Sequence, residues 1–403
     1  MPLPTAAPAA AAAATSLPSA LVMLLACAAG LSVANVYYAQ PLLDAVAREF
    51  AISQAAVGGV ITATQIGCAL ALLLLVPLGD RVERRRLMMV QLAALIAALL
   101  CVAAAPTPAL LLAGMLAVGL VGTAMTQGLI AYAAAAASDS ERGRVVGTTQ
   151  GGVLVGLLLA RVMAGGVADL AGWRSVYLTS AAVMGSLALV LWRYLPAQPL
   201  SSEAPRYGQL LLSLLTLVAR QRTLQVRGML ALLMFAVFNV FWTAIVLLLS
   251  APPHNLSQTA IGALGLVGLV GALAAARAGH WADKGLGQRT TGYALLLLLA
   301  SWLPLWLAPV SLGALLLGIL LLDMAGQAIH VTNQSLIFAT QPAAHSRLVS
   351  GYMLFYAVGS GLGAISSTSA YAAFGWNGVC VLGASLSLAG LWFWRAMRRL
   401  AAH

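Results

Sequence analysis

The sequence predicts an all-α membrane protein in which twelve transmembrane helices form two pseudo-symmetric six-helix bundles. The composition is the first observation, because 62% of the 403 residues are hydrophobic and only 8% are charged, whereas soluble domains carry about 25% charged residues. The apolar runs are the second, since their length and their lack of strand-like alternation are typical of membrane-spanning helices. The third observation is an internal repeat, described below.

Each predicted span is an apolar run long enough to cross a bilayer. In chain order, the runs cover 18–40, 54–78, 87–105, 109–136, 145–170, 174–195, 227–250, 257–278, 290–308, 311–339, 348–374 and 377–397. Five segments follow: a disordered tail at 1–17, a six-helix bundle at 18–195, a cytoplasmic linker at 196–226, a second bundle at 227–397 and a cytoplasmic tail at 398–403. The tail at 1–17 has no Lys or Arg, unlike a cleaved signal. The linker sequence YGQLLLSLLTLVARQR can form an interfacial helix.

The basic residues predict the orientation. If both termini are cytoplasmic, all but three of the 21 Lys and Arg fall on the cytoplasmic side, the exceptions being Arg48, Arg161 and Arg174. This distribution follows the positive-inside rule, so the net charge of +11 indicates contact with a lipid bilayer and not with nucleic acid. Because Ala and Leu dominate and Arg replaces Lys almost everywhere, we expect a multi-pass protein of the bacterial inner membrane.

The tenth span carries a polar stripe. Asp323, Gln327, His330 and Gln334 recur at intervals that stack them on one helix face. Asp323 lies 12 residues after Ser311, which is about 18 Å into a hydrocarbon core that is about 30 Å thick. An ionisable group at that depth is costly and usually faces a bundle interior or a water-filled cavity. We therefore expect Asp323 to couple transport to protons, with His330 as a relay or a hydrogen-bond donor to substrate.

The second half of the chain echoes the first half at an offset of 203 residues. The matched landmarks are Asp80 with Asp283, Arg144 with Arg347, Gly172-Trp173 with Gly375-Trp376, and Gln127 with His330. Such repeats predict two halves related by an axis along the membrane normal, with a substrate site near the midplane where the halves meet.

A loop signature follows the second span and recurs after the eighth. The first copy contains Leu78, Gly79, Asp80, Arg81, Arg84 and Arg85, and the second contains Gly279, Ala282, Asp283, Lys284 and Gly287. These residues resemble the major facilitator superfamily, and the likeness covers nearly the whole chain. The resemblance implies a cytoplasmic latch that holds one conformation and releases in another. The expected latch residues are Asp80, Arg81, Arg84, Arg85, Arg144, Asp283 and Arg347.

The fifth span resembles the glycine-rich signature of drug–proton antiporters within that superfamily. Its glycines at 152, 156, 165 and 166, with Gly262, Gly265, Gly268 and Gly271 of the eighth span, predict a close helix crossing between the halves. Ala160-Arg161 stands where that branch has Gly-Pro. Arg161, about 25 Å from Arg144 along the helix, could snorkel, pair with Asp44 or Glu49, or bind an anionic substrate, and an ion pair is the first expectation.

The remaining cavity residues are polar or aromatic side chains on spans that line the cavity in the resembling family. The expected substrate-cavity set is Asn35, Tyr38, Gln127, Arg161, Asn239, Trp242, Gln327 and Gln334. Aromatic walls with a few amides suit an amphiphilic small molecule. Tyr352, Phe355 and Tyr356 are interpreted as packing residues.

We expect a secondary active transporter that exports small organic molecules in exchange for protons, as an antiporter and a monomer. One alternative is a proton symporter or uniporter for uptake of a small anion, and another is a non-transporting sensor or assembly partner. The four cysteines have no metal-like spacing, and no phosphate-binding loop occurs. We therefore expect no metal, no cofactor and no enzymatic activity.

Overall fold

The structure, a computed structural model, describes residues 17–138, 140–198, 206–338 and 345–400. At 80, 272–276, 282–283, 338, 345–346 and 399–400 it describes the backbone but not the side chain. Most of the predicted disordered tail, and residues 401–403 of the predicted cytoplasmic tail, lie outside the described residues.

Every regular element in the described ranges is helical, because each apolar run satisfies its backbone hydrogen bonds internally. The helices are α1 (Ser19–Tyr37), α2 (Ala39–Glu49), α3 (Gly59–Leu70), α4 (Arg84–Ala104), α5 (Pro108–Ala136), α6 (Arg142–Ala171), α7 (Trp173–Tyr194), α8 (Tyr207–Arg220), α9 (Arg222–Ser250), α10 (Gln258–Ala263), α11 (Leu269–Trp281), α12 (Gly287–Ala300), α13 (Trp302–Trp306), α14 (Leu312–Phe338) and α15 (His345–Leu400). Short 3₁₀ turns (Pro77–Asp80, Leu264–Gly268) and π turns (Ala71–Leu75, Ala282–Leu286) extend α3, α10 and α11.

Nine helical stretches within the described ranges are long and apolar enough to cross a membrane. One of them is α15, which Gly375 divides into two helices. The predicted eighth and ninth spans are each broken into shorter pieces, α10 with α11 and α12 with α13. The all-α membrane fold is confirmed, and the count of twelve spans stays a prediction.

Two glycines turn the chain at matching corners of the repeat. Gly172 has φ of 84° between α6 and α7, and Gly375 has φ of 61° within α15. Positive φ favours glycine, which has no Cβ to clash with the backbone. The tryptophan after each corner is buried, and the Trp376 indole donates to the Leu305 carbonyl at 2.8 Å. The two Gly-Trp pairs matched in sequence therefore have a similar local structure in both halves.

Two groups of buried apolar side chains form separate cores. One draws on α1 to α7, together with Leu247 and Ala364, and the other draws on α9, α10 and α12 to α15. The predicted linker contains α8, whose apolar side chains Leu212 and Leu215 are exposed while Leu214 is buried. Exposed leucines on this helix suit a membrane surface.

The glycine pair of α6 packs differently from the prediction. A Cβ on Gly152 or Gly156 would overlap with the backbone of Ala26 or Gly30, so this pair brings α6 against α1 inside one half. The predicted crossing of α6 with the second glycine-rich segment is present, and it is made by Gly165, which packs on the Gln258 backbone, and by Gly262, which packs on the α6 backbone. Small residues allow both close approaches, and only packing decides which pair makes which contact.

The seam between the halves is closed at one end by α3 and α15. The Thr62 hydroxyl donates to the Gly361 carbonyl at 2.8 Å, and the Thr368 hydroxyl donates to the Ala55 carbonyl at 2.9 Å. We call this the closed end.

Asp169, at the end of α6, completes the closure. Its carboxylate accepts hydrogen bonds from the backbone N–H groups of Gln258 at 3.1 Å and Thr259 at 2.8 Å, and from the Thr259 hydroxyl at 2.5 Å. The Ser257 hydroxyl accepts from the next N–H, that of Ala260, at 3.2 Å. An acid of one half thus satisfies the helix start of the other half.

At the opposite end the seam is looser. Ideal Cβ atoms at Gly143, Gly147 and Gly151 of α6 would meet nothing within 4 Å. A cavity at this end has walls from both halves and from α8, and its lining includes Arg84, Gln91, Gln127, Leu214 and Arg347.

Candidate substrate and proton site between the halves

Asp323 lies on α14 at the seam and is only 5% exposed. An ideal Cβ on Gly268 would lie 2.7 Å from its Oδ2, so the absence of a side chain there makes room for the carboxylate. Its Oδ1 is buried and has no hydrogen-bond partner within the described part of the chain. A buried oxygen without a partner is costly, which makes this carboxyl group a candidate functional group.

Arg161 of α6 reaches the same part of the seam from the other half and is 3% exposed. Its Nε donates to Gln40 Oε1 at 2.6 Å. Its guanidinium carbon lies 4.5 Å from the Trp242 ring centroid and 5.5 Å from that of Tyr37, so aromatic rings cover its faces. Its Nη2 has no hydrogen-bond partner among the described residues.

The expected ion pair of Arg161 with the first span is wrong. Asp44 pairs with Arg48 at 2.7 Å, and Glu49 pairs with Arg174 at 2.6 Å. Both acids are therefore held by partners closer to the membrane surface. Arg161 is left inside the seam, where Gln40 is its neutral partner.

Arg161 and Asp323 attract each other across the seam without a direct ion pair. Both side chains pack against the helix face that carries Gly265 and Gly268. An ideal Cβ on Gly265 would lie 3.3 Å from Arg161 Cδ, and Gly268 lies beside Asp323, one turn further along. The site thus joins a cation of one half to an acid of the other half.

Aromatic residues extend the site beyond the sequence prediction. The Tyr37 and Tyr356 hydroxyls share a short hydrogen bond across the seam, and the Phe235 ring packs edge-on against Tyr356 with centroids 4.1 Å apart. The interpretation of Tyr356 as a packing residue is therefore incomplete, because its hydroxyl meets the other half. The sequence analysis also missed Tyr37 and Gln40. Their spacing of three residues places both on one helix face, and this could have indicated a shared site.

His330 lies on the same helix as Asp323, about two turns away, and makes separate contacts. Its Nδ1 lies 3.0 Å from the Tyr352 hydroxyl, and its ring packs edge-on against Phe235. Tyr352 is thus more than the packing residue expected from sequence. A relay role for His330 stays a prediction.

Two expected cavity residues of the first span contact α7. Asn35 is fully buried, donates to the Leu31 carbonyl at 2.8 Å and accepts from the Ser180 hydroxyl at 2.6 Å, so its hydrogen bonds hold α1 and α7 together. Tyr38 likewise lies beside Ser180 and Tyr177 of α7. The expectation that Asn35 lines the cavity is therefore wrong. For Tyr38, which also packs in a cluster with Tyr37 and Ala357 of the other half, it stays a prediction.

The other expected cavity residues are distributed along the seam. Asn239 donates to the Phe235 carbonyl at 3.1 Å and keeps a buried oxygen without a partner, within the described ranges. Gln327 packs beside Gly271, and Gln127 lines the cavity at the looser end. Gln334 is half-buried.

The expected latch residues make contacts inside their own half. Arg84 donates to the Ala131 carbonyl at 2.6 Å, and Arg85 donates to the Trp192 carbonyl at 2.5 Å. These carbonyls lie near helix C-termini, where cations are favourable. Arg144 pairs with Glu141 at 3.1 Å.

Four further latch positions complete the set. Arg81 and Arg347 are exposed. The side chains of Asp80 and Asp283 lie outside the described part of the chain, so their latch role stays a prediction.

The known proteins to which this chain is similar are transporters. A family model described as Major Facilitator Superfamily matches residues 22–340. The chain is 45% identical over 384 residues to the uncharacterized transporter YgaY of Escherichia coli O157:H7, covering 95% of this chain and 97% of that protein. It is 30% identical over 377 residues to the probable transporter SCO4007 of Streptomyces coelicolor, covering 92% and 84% of the two chains.

Solved structures show the same fold. A bacterial homolog of the human lysosomal transporter Spinster, in an inward-facing and occupied conformation, has a TM-score of 0.77 at 16% identity, covering 94% of this chain and 97% of that chain. The human organic anion transporter MFSD10 has a TM-score of 0.69 at 19% identity, covering 93% and 98%. Identities this low show a shared fold and nothing about substrate. The family match and the near full-length relatives establish that the chain belongs to the Major Facilitator Superfamily, a family of transporters rather than enzymes.

Proposed function

We propose that the protein is a secondary active transporter that moves small organic molecules by alternating access and couples this movement to a proton at Asp323. One observation carries the proposal: a buried carboxylate and a buried guanidinium face each other where the halves meet. A site at this seam is exposed to one side or the other as the halves rock.

The coupling follows from the cost of a buried charge. A carboxylate in low-dielectric surroundings favours its neutral form, and a nearby cation favours its charged form. Movement of Arg161 or entry of water changes this balance, so Asp323 binds a proton in one conformation and loses it in another. The hydrogen bonds of Asp169 and Thr368 shut the closed end of the seam, and the cavity beside Arg347 lies at the opposite end.

Two directions of coupling are open. Export in exchange for protons is favoured by the resemblance of the glycine-rich fifth span to drug–proton antiporters. Uptake of a small anion together with a proton is favoured by Arg161, whose Nη2 has no partner among the described residues. For both, we propose a monomer in the bacterial inner membrane with both termini cytoplasmic, on the basis of the basic loops.

Proton flux into proteoliposomes tests the role of Asp323. Benzenesulfonate, benzyltrimethylammonium and benzyl alcohol are added in turn under a pH gradient, and a dye inside the vesicles reports the pH. We expect compound-dependent proton movement in the wild type and its loss in Asp323→Asn. Asp44→Asn is the matched control, since Asp44 pairs with Arg48 and not with Arg161. Undiminished proton movement in Asp323→Asn would remove this residue from the mechanism.

A further inference from the structure

We propose that the substrate is an organic monoanion that binds to Arg161, and that it enters the site only together with a proton on Asp323. This inference rests on the proposed function and names its substrate class and the sign of its coupling. Anion and proton then travel in the same direction.

The first step is the shape of the free edge of Arg161. The rings of Tyr37 and Trp242 cover the guanidinium faces, and Gln40 accepts from Nε. Gly265 presents no side chain beside Nη1, where an ideal Cβ would lie at 3.7 Å. Nη2, which has no hydrogen-bond partner among the described residues, is therefore where we place the ligand.

The second step is the balance of donors and acceptors. Arg161 Nη2 is a buried donor without a partner within the described ranges, and the Trp242 indole N–H, which lies beside the Asp323 carboxyl group, makes no close hydrogen bond there. A carboxylate, sulfonate or phosphonate accepts from both types of donor, and an arginine fork suits such groups. The aromatic rings beside the site suit an aromatic or similarly flat body on the same ligand.

The third step is charge. Arg161 and Asp323 together are neutral, so an anion at Arg161 leaves a net negative charge in a buried site unless Asp323 takes up a proton. Burial of such a charge is costly. Protonation of Asp323 and binding of the anion thus favour each other, and by linkage each strengthens the other equally.

Other titratable groups near Asp323 do not supply this balance. Arg161 is the charged group that faces it among the described residues, and the Trp242 indole is a neutral neighbour. The other titratable side chains on the elements packed around the site include Tyr37, Tyr38, Asp44, Arg48, Glu49, Cys68, Arg144, Asp169, Arg227, Arg277, His280, His330, Tyr352, Tyr356 and Tyr371. Asp44 pairs with Arg48, and Glu49 pairs with Arg174. Arg227 donates to Thr291 and Asn333, and Arg277 and His280 lie toward the end of α11.

Binding by purified protein, followed by calorimetry in buffers of different ionisation enthalpy, tests the inference. Benzenesulfonate is the main probe because it stays anionic at these pH values. Any proton taken up on binding is therefore bound by the protein and not by the ligand. Benzoate is the second anion, with benzyltrimethylammonium and benzyl alcohol as cationic and neutral counterparts. We expect uptake of about one proton per benzenesulfonate, and about tenfold weaker binding per pH unit on the alkaline side.

Variants separate the two charged groups. Asp323→Asn imitates the protonated acid, so it should bind benzenesulfonate without pH dependence and without proton uptake. Arg161→Gln should lose anion binding, and Arg48→Gln, at the exposed Asp44 pair, is its matched control. Thermal unfolding identifies variants that fail to fold, and Arg161→Lys then replaces Arg161→Gln.

Two results would overturn the inference. One is binding of neither anion to the wild type at pH 5.5. The other is binding of benzyltrimethylammonium with release of a proton, which would leave Asp323 as the coupling group but make the substrate a cation. The proposed function fails separately, if Asp323→Asn keeps compound-dependent proton flux.

Discussion

Asp169 is the residue whose replacement should open the closed end. Its carboxylate is the only acceptor that the described residues offer to the N–H groups of Gln258 and Thr259, the first two of α10. Alanine at 169 leaves these groups without a protein partner whenever the end is shut. In the opened state water hydrates them in both proteins, so the change penalises the closed state alone.

The magnitude follows from the contacts. Hydrogen bonds to a charged group contribute about 1.5–3 kcal/mol when buried, but Asp169 is exposed, and a helix-capping acceptor contributes about 1 kcal/mol. We therefore expect Asp169→Ala to destabilise the closed state by about 1 kcal/mol, which lowers the ratio of closed to open molecules about fivefold. Asp169→Asn keeps an acceptor oxygen, so its effect should be smaller.

Spin-label distances measure this ratio. Labels at cysteines replacing Ala109 and Val310, in a background without native cysteines, lie on exposed positions of opposite halves near the closed end. The matched control is Glu49→Gln, since Glu49 pairs with Arg174 inside one half and should not affect the seam. An unchanged distance distribution in Asp169→Ala, or an equal change in Glu49→Gln, would refute the reasoning.

Two further predictions concern stability and pH. Gly152→Ala places a methyl group on the Ala26 backbone and should destabilise the protein by about 1–3 kcal/mol in detergent unfolding, whereas Gly151→Ala, which meets nothing within 4 Å, should not; equal loss in both would contradict the packing argument. Glu141 accepts from the Leu17 N–H at 3.0 Å, which lowers the pKa of this carboxyl group below its ordinary value. Because that pKa is lowered on folding, the contact is stabilising above the ordinary value and is lost as pH falls through the lowered one. Amide exchange at Leu17, corrected for intrinsic rates, should therefore rise in acid in the wild type and be insensitive to acid in Glu141→Gln; acid sensitivity that persists in the variant would exclude Glu141.

Much of the fold could be predicted because each relevant signal is local. Apolar runs must form helices in lipid, and a positive-φ corner needs glycine, so hydropathy and the matched Gly-Trp pairs predicted helices and repeat alike. The position of Asp323 within its helix also follows from residue counting. The break between α12 and α13 was not predicted from hydropathy, although it has a local cause: Pro304 has no N–H to bond the Ala300 carbonyl, where α12 ends. The break between α10 and α11 was not predicted either, because a helix tightens where its neighbours pack on it, and hydropathy carries no record of those neighbours.

The site itself was predicted in part. Asp323, Arg161 and Trp242 were all expected in the cavity, and the structure brings them together at the seam. Tyr38 was chosen where Tyr37 faces the seam, because successive helical residues point about 100° apart and the turn of α1 relative to α7 is set by packing.

Residue patterns along the chain are enough to predict a helical membrane protein with a repeated half, a buried acid and a buried arginine. The groups that these two charged residues meet follow from the packing of the helices. Asp44 and Glu49 follow the expected first span and belong to the same half as Arg161, yet each pairs with another arginine. Arg161 instead lies near Asp323 of the other half. Partner choice depends on how helices distant in sequence pack side by side, and no local pattern of residues carries that information.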